Sequence, residues 1–415
     1  MATAIVQSGI YVLEMATGNQ TNEFILNQSL LNGPNLLDGE TEFADITADL
    51  QTITMSRGRR KPVDQFQTGN LSFTAQDDNT IMYELNPLNT TSVYYDTTTN
   101  VAGLAPMRKV QLSRSGTYLF KGRVISFNYG FQLGELDQVS ASCSDDMLLL
   151  AQAVLPESIN LEALSSARLS SVLDSSSVAY PSTRAISTGT VTLGAYSIPA
   201  NTSVQAYVQQ INDAEQGRLF VSRDGDLTFQ PRIGASLAPS SATFNDTGTG
   251  IPYNAITIEF DQQAVVNRAS VTIDGGTPQV AFDATSQAAY FIQAKDISGS
   301  LLSSDAQAAT LAAYLLNPNP EPRFTSISLN YAMLTDGQRA TVSALDIGSV
   351  ITVTRQIAPG DPITQTLAVE GIEATITVFG GHSVTLFTSA QVVLTDLVLD
   401  DQQFGEMDST NVLGA

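Results

Sequence analysis

Tryptophan is absent from the 415 residues, and cysteine and histidine occur once each, as Cys143 and His382. One cysteine forms no internal disulfide, and one histidine beside it supplies no Cys/His zinc set, so both familiar metal routes are closed. Positive charge is scarce as well. Nineteen Lys and Arg stand against 41 Asp and Glu, a net charge of -22 at pH 7 on a chain with only 14% charged residues. Phosphate-tracking proteins need clustered Lys and Arg to release counterions, so this surface is expected to repel nucleic acid. The longest apolar run, about Met147 to Leu155, falls far short of the ~20 residues a membrane helix needs. The opening MATAIVQSGIYVLEMATG carries no basic leader region. A soluble, unsecreted chain without a membrane span is expected.

Catalytic signatures are missing too. There is no GxSxG elbow, no HExxH and no CxxC, so hydrolase and metalloprotease chemistry lack their usual starting points. His382, in Gly380-Gly381-His382-Ser383, reads as a turn residue at a strand entrance. The neighbours of Cys143 include Asp145 and Asp146, which raise a thiol pKa, so the thiol reads as inert. Asp274-Gly275-Gly276 and the 245–250 stretch fit no phosphate-binding loop. Asp224-Gly225-Asp226 lacks the further ligands of a calcium loop. No catalytic, metal or cofactor-binding residue is assigned, and no enzyme activity is expected. Paired carboxylates stay open, because a glycosidase needs only two acidic groups brought together by the fold.

What the chain does contain is alternation. Ala4 to Leu13, Phe43 to Thr54, Gly69 to Ala75, Lys109 to Leu112 and Tyr118 to Phe127 read as strands. A polar stretch with Asn, Thr, Tyr and Pro between 79 and 104 reads as a long surface excursion. Ser144-Asp145-Asp146 offers a cap for a short helix ending before Pro156. A second helix is expected from Thr202-Ser203 to Glu215, ended by Gly217, and a third over Asp305 to Leu316. Asp224-Gly225 sits between RLFVS and LTFQ as a structural turn in a tight primed hairpin. Further strands are expected over 254–291, 324–331, 348–355, 365–378 and 383–398, with a Pro-Gly-Asp-Pro turn at 359–362. The fold class is mainly β with short helices (α+β), multi-domain, with two β-barrel-like modules flanking helix-bearing inserts. Its divisions are 1–140, an N-terminal β-barrel; 141–233, a helix-containing α+β insert; 234–300, a β-rich middle domain; and 301–415, a helix and a C-terminal barrel-like domain.

Two places suit contacts with other chains. Arg57, Arg59, Arg60 and Lys61 form the one dense basic cluster, a solvated loop meeting an acidic neighbour or an interface. Tyr94-Tyr95 suits an interface, packing on its own barrel, or stacking on a sugar.

Several blocks, in order, resemble the tail-tip (baseplate) hub or minor tail proteins of long non-contractile-tailed bacteriophages. They are DQFQTGNLSFTAQDD (64–78), RKVQLSRSGTYLFKGRVISFNY (108–129), DAEQGRLFVSRDGDLTFQPR (213–232), LDIGSVITVTRQIAPGDPITQTLAVEGIEATIT (345–377) and LVLDDQQFGEMDSTNVLG (397–414). The resemblance implies a homotrimeric hub at the distal end of the tail, in the virion, assembled in the host cytoplasm. Its implied partners are the distal tail protein, the tape-measure protein and other tail-tip proteins. The tube would stay closed until DNA ejection, with DNA passing through without specific binding, and an acidic wall suits that passage. The alternatives are a hexameric distal tail protein and a host-envelope glycan-binding or glycan-cleaving tail-tip protein.

Overall fold

The computed structural model describes residues 10–390 apart from 18–42, 48–49, 62–63, 77–83, 93, 97–99, 132, 134–135, 181–182, 233–239, 261, 321, 357–359, 361 and 378–380. The start expected at Ala4, part of the 79–104 excursion, half of the 359–362 turn and the closing 397–414 block lie outside the described residues.

The alternating text becomes strands for the expected reason. In β3 (Leu50–Gly58), Ile53, Met55 and Arg57 are buried two residues apart; in β4 (Gln67–Gln76), Leu71, Phe73 and Ala75 are buried while Asn70 and Ser72 face solvent. β1 (Tyr11–Ala16), β2 (Phe43–Asp45), β5 (Lys109–Arg114), β6 (Thr117–Gly130) and β7 (Gln138–Ser144) complete this half in the spatial order β2-β1-β5-β6-β7-β4-β3. Between β5 and β6, Ser115 (φ 48°) and Gly116 (φ 81°) are both left-handed, which makes the loop a primed two-residue turn matched to strand twist.

After β7 come the helices α1 (Met147–Gln152), α2 (Ser165–Leu173) and α3 (Val204–Glu215). The Ser203 hydroxyl caps α3 by accepting from Ala206 N, but Gln216 rather than Gly217 takes the left-handed position at its end (φ 54°). Gly217 is needed for another reason: a Cβ there would stand 2.5 Å from the Gln230 carbonyl oxygen. β8 (Arg184–Ile186), β9 (Arg218–Val221) and β10 (Leu227–Gln230) form a small sheet. The β9–β10 hairpin exists, yet its loop is not primed. Ser222 and Asp226 pair around Arg223-Asp224-Gly225, and Gly225 (φ 89°) alone among them is left-handed, as in a three-residue loop with a glycine bulge.

The other half is built from β11 (Ser240–Asn245), β12 (Ala255–Glu259), β13 (Arg268–Ile273), β14 (Gln279–Phe282), α4 (Ala284–Tyr290), β15 (Ala294–Ser300) and α5 (Asp305–Tyr314). β16 (Arg323–Asn330), α6 (Asp336–Ala344), β17 (Val350–Arg355), β18 (Ile363–Thr377) and β19 (Gly381–Ala390) follow. The mainly β fold with short helices is as expected.

The two β-rich halves are not separate closed barrels. β18 runs for 15 residues, and its first part pairs with β17 while Gly371–Thr377 pairs with β3. That strand fuses both halves into one 13-stranded, largely antiparallel sheet whose main path ends at β2 and β12, with β17 and β11 branching from it.

One core lies against this sheet and draws on both ends of the chain, with Phe73, Phe120, Phe324, Ile351 and Leu386 among its buried residues. A second core takes residues from Met147 to Leu315, so it spans the divisions expected at 233/234 and 300/301. A small third cluster, Phe66, Phe220 and Ile347, joins the two.

Candidate functional site

The basic cluster lies where the end of β3, the bulge in β18 and the β9–β10 hairpin meet. Arg57 occupies an inward position of β3 in phase with Ile53 and Met55. A cation there is tolerated only if paired, and its Nη1 donates to Asp346 Oδ1 at 2.7 Å. Asp346 Oδ2 in turn accepts from the Arg223 backbone N at 2.8 Å, tying the β9–β10 loop to the same carboxylate. Two residues on, Arg59 Nε donates to Glu370 Oε2 at 2.8 Å, and Arg218 Nη2 donates to Glu370 Oε1 at 2.9 Å. The Ser389 hydroxyl adds a third donor at 2.7 Å.

Glu370 is 1% exposed and sits at the bulge between Val369 and Gly371, where β18 changes partners. Burial pushes its carboxyl up, but the Arg218 and Arg59 guanidiniums and the Ser389 hydroxyl outweigh that and hold it below the usual carboxylate range. Glu370 thus links β3, β9 and β19 through one side chain. Beside it the Arg59 guanidinium lies 4.4 Å over the Phe66 ring, whose centroid is 6.1 Å from that of the tilted Phe220 ring.

Arg60 differs from its neighbours. Its side chain is 70% exposed, and its Nε donates to Glu373 Oε1 at 2.7 Å. Lys61 is exposed. Between the 57–60 segment, β4 and Glu373 runs a polar cleft of about 260 Å³, floored by Ser56, Thr68 and Asn70. The structure therefore gives Arg57, Arg59 and Arg60 partners within the chain and leaves Lys61 outward.

Tyr94 is half-buried against the first core; burial, with Glu84 and Asp45, raises its pKa. Tyr95 pairs with Ala102 in a two-residue ladder. The tyrosines thus pack on their own half and lie apart from the arginine cluster in the contacts they make.

His382 is buried in β19, with Nδ1 2.8 Å from the Tyr11 hydroxyl and its ring 3.9 Å from that of Tyr331. Burial and then Arg114 push its pKa down to about 3, so it is neutral at physiological pH and binds β1 to β19. Cys143 is buried within β7, and burial, rather than acidic neighbours, pushes its thiol pKa up. Among the described residues no group of three or more His, Cys, Asp or Glu is arranged to hold a metal ion. No described helix is long and apolar enough to cross a membrane.

Asp145 was legible as a cap and proves to do more. Its Oδ1 accepts from Met147 N at 3.1 Å at the start of α1, and its Oδ2 accepts from Gly69 N at 2.7 Å. Burial pushes its pKa up to about 7, against the two backbone donors and Arg57. A raised carboxyl pKa means the folded protein holds this proton more tightly than the unfolded chain does. The stability difference between wild type and Asp145→Asn should accordingly grow in favour of wild type as pH falls from 8 to 4. The gain is on the order of 4 kcal/mol. Urea titrations of both proteins across that range check it, and a pH-independent difference would refute it.

An acidic neighbour is among the readings of the cluster in the sequence, but Asp346 and Glu370 are not identifiable there as that neighbour. Asp346 and Glu370 lie 289 and 311 positions from their arginines. One signal was present: Glu370 stands alone in the apolar run Leu367-Ala368-Val369-Glu370-Gly371-Ile372.

No family model matches the sequence, and no curated protein matches it. Solved structures do. The tail protein from Neisseria meningitidis MC58 matches with a TM-score of 0.59 at 14% identity, over 91% of this chain and 96% of that one. The 43 kDa tail protein of prophage MuSo2 from Shewanella oneidensis matches with a TM-score of 0.60 at 10% identity, over 92% and 98%. A chain of the lidless PdpA-VgrG complex matches with a TM-score of 0.52 at 9% identity, over 95% of this chain and 67% of that one. The fold is one found in phage tail proteins.

Proposed function

We propose that this chain is a structural protein of a phage tail, the hub at the distal end, present in three copies and free of catalytic residues. The observation that carries the reading is the nearly end-to-end correspondence with two tail proteins of similar size, at TM-scores of 0.59 and 0.60. A fold alone does not assign a function, and the chemistry of the site adds weight. The cleft beside the 57–60 segment is polar and its arginines are engaged by carboxylates of the same chain, an arrangement that stiffens a joint rather than receives a substrate. A hub must hold its shape under load from the tube above it, and a three-way buried joint serves that. In this reading the chain joins the tail tube and distal tail protein to the tip, holds the tape-measure protein, and closes the tube until ejection. The net charge of -22 keeps passing DNA from adhering.

Averaged images of purified virions test the proposal. Three copies at the tip below the tube are expected. Six copies in a ring would make the chain a distal tail protein. Absence from the virion, together with release of sugars in a wall-digestion assay, would replace the structural reading with the envelope-glycan one.

A further inference from the structure

The second core carries an apolar surface that nothing in the described chain covers. Phe282 ends β14 and is 62% exposed; Phe291 and Ile292, after α4, are 82% and 60% exposed, and Tyr290 beside them is 41% exposed. These residues share one end of a three-stranded sheet, because Arg268 of β13 pairs with Phe282 on one side and with Ala294 on the other. Arg268 is exposed and has no ion pair among the described residues.

The display is built, not incidental. Phe291 has φ 59° and ψ 176°, a backbone conformation that essentially only glycine adopts freely. It is held there by Asn267, which is fully buried. Asn267 Nδ2 donates to the Phe291 carbonyl at 2.7 Å, and its Oδ1 accepts from Gln293 N at 2.8 Å. A strained, clamped turn that points an aromatic ring into solvent is otherwise a liability.

The exposed parts of the four apolar side chains amount to roughly 500 Å², a little over half of the ~800 Å² per partner in a standard interface. Aromatic residues with an arginine and few carboxylates are the composition of an interface centre.

The surface carries Arg268 and no carboxylate among Phe282, Tyr290, Phe291 and Ile292, so contact with its own copy would leave Arg268 without an opposite charge. The same unit offers a better complement. Ile159 and Leu161, 76% and 77% exposed, project from a short ribbon flanked by the exposed Glu157 and Glu162. This ridge against itself would oppose carboxylates, whereas ridge against aromatic surface matches apolar to apolar and Glu to Arg.

We infer that the Phe282/Phe291/Ile292 surface with Arg268 receives the Ile159/Leu161 ridge of a second copy of this chain, head to tail. Such heterologous contacts close into a ring when the rotation between copies closes, and a three-copy assembly requires a rotation that does. The inference rests on the several-copy assembly proposed above and names the surface that makes it.

The test uses the full chain in analytical ultracentrifugation. Wild type is expected to sediment as a closed oligomer. F282S/F291S and I159S/L161S should each keep the wild-type far-ultraviolet circular dichroism, since all four side chains are exposed, and each should weaken assembly by on the order of 30-fold or more. Mixing the two variants leaves one good surface on each, so dimers of one with the other should form and stop there. Wild type that stays monomeric, variants that assemble like wild type, or a mixture that forms no dimers would each overturn the inference. Three copies in virion images together with normally assembling variants would remove this surface while leaving the hub reading intact.

Discussion

Glu370→Ala is expected to destabilise the protein by about 3–5 kcal/mol, because removing one member of a buried ion network strands the charges it neutralised. Arg59 and Arg218 have side chains only 18% and 12% exposed, so water does little to replace the lost carboxylate. The contrast is Arg60→Ala, which breaks the exposed pair with Glu373 and should cost no more than ~1 kcal/mol. Adding Arg218→Met to Glu370→Ala should restore part of the loss, since it removes a stranded guanidinium. With no tryptophan in the chain, urea unfolding is followed by tyrosine emission and far-ultraviolet circular dichroism. A Glu370→Ala protein within 1 kcal/mol of wild type would show that the joint contributes little.

The pH dependence of this contribution opposes that of Asp145. A carboxyl whose pKa is lowered on folding stabilises the protein at neutral pH and loses that effect as pH falls through its folded value. Acid should therefore loosen the Glu370 joint while it favours the contacts of Asp145, so two carboxyls at the same end of the β3–β4 pair respond to acid in opposite senses.

How much of this was legible depends on how local the determinants are. The β-runs were readable because Leu71, Phe73 and Ala75 alternate with Asn70, Ser72 and Thr74. α6 is equally readable: Thr335 and Gln338 form a capping box, a three-residue spacing visible in the text. α2 was not, because its sequence SSARLSSVL is Ser-rich and buries Arg168, whose guanidinium binds the Tyr207 hydroxyl and the carbonyl oxygen of Gly194. Its helical state depends on tertiary partners rather than on propensity. The basic cluster stands out in the text, but its partners lie some three hundred positions away. Nothing in a local window distinguishes an arginine awaiting another chain from one that closes a joint in its own.

Glu215→Ala is expected to have a comparable effect on the other core, by a different mechanism. Glu215 ends α3 with no exposed surface, and no cation pairs with it among the described residues. Its oxygens instead accept from Ser165 Oγ at 2.6 Å, Thr190 N at 3.1 Å, Thr190 Oγ1 at 2.5 Å and Val191 N at 3.2 Å. One carboxylate therefore fastens the start of α2 and the 189–191 segment to the end of α3. Removing it leaves buried backbone donors without acceptors, at about 1–3 kcal/mol each, so a total near 3–5 kcal/mol is expected. Glu215→Gln keeps one acceptor oxygen but turns the other position into a donor facing donors, and should lose about half as much. Hydrogen exchange provides the local readout: the Thr190 and Val191 amides should lose protection in Glu215→Ala ahead of the β3–β4 amides. Unchanged protection at those two amides would refute the assignment. Because the Ile159/Leu161 ridge adjoins α2, a loosened Glu215 should also weaken assembly, whereas Glu370→Ala should act first on the joint between the two cores.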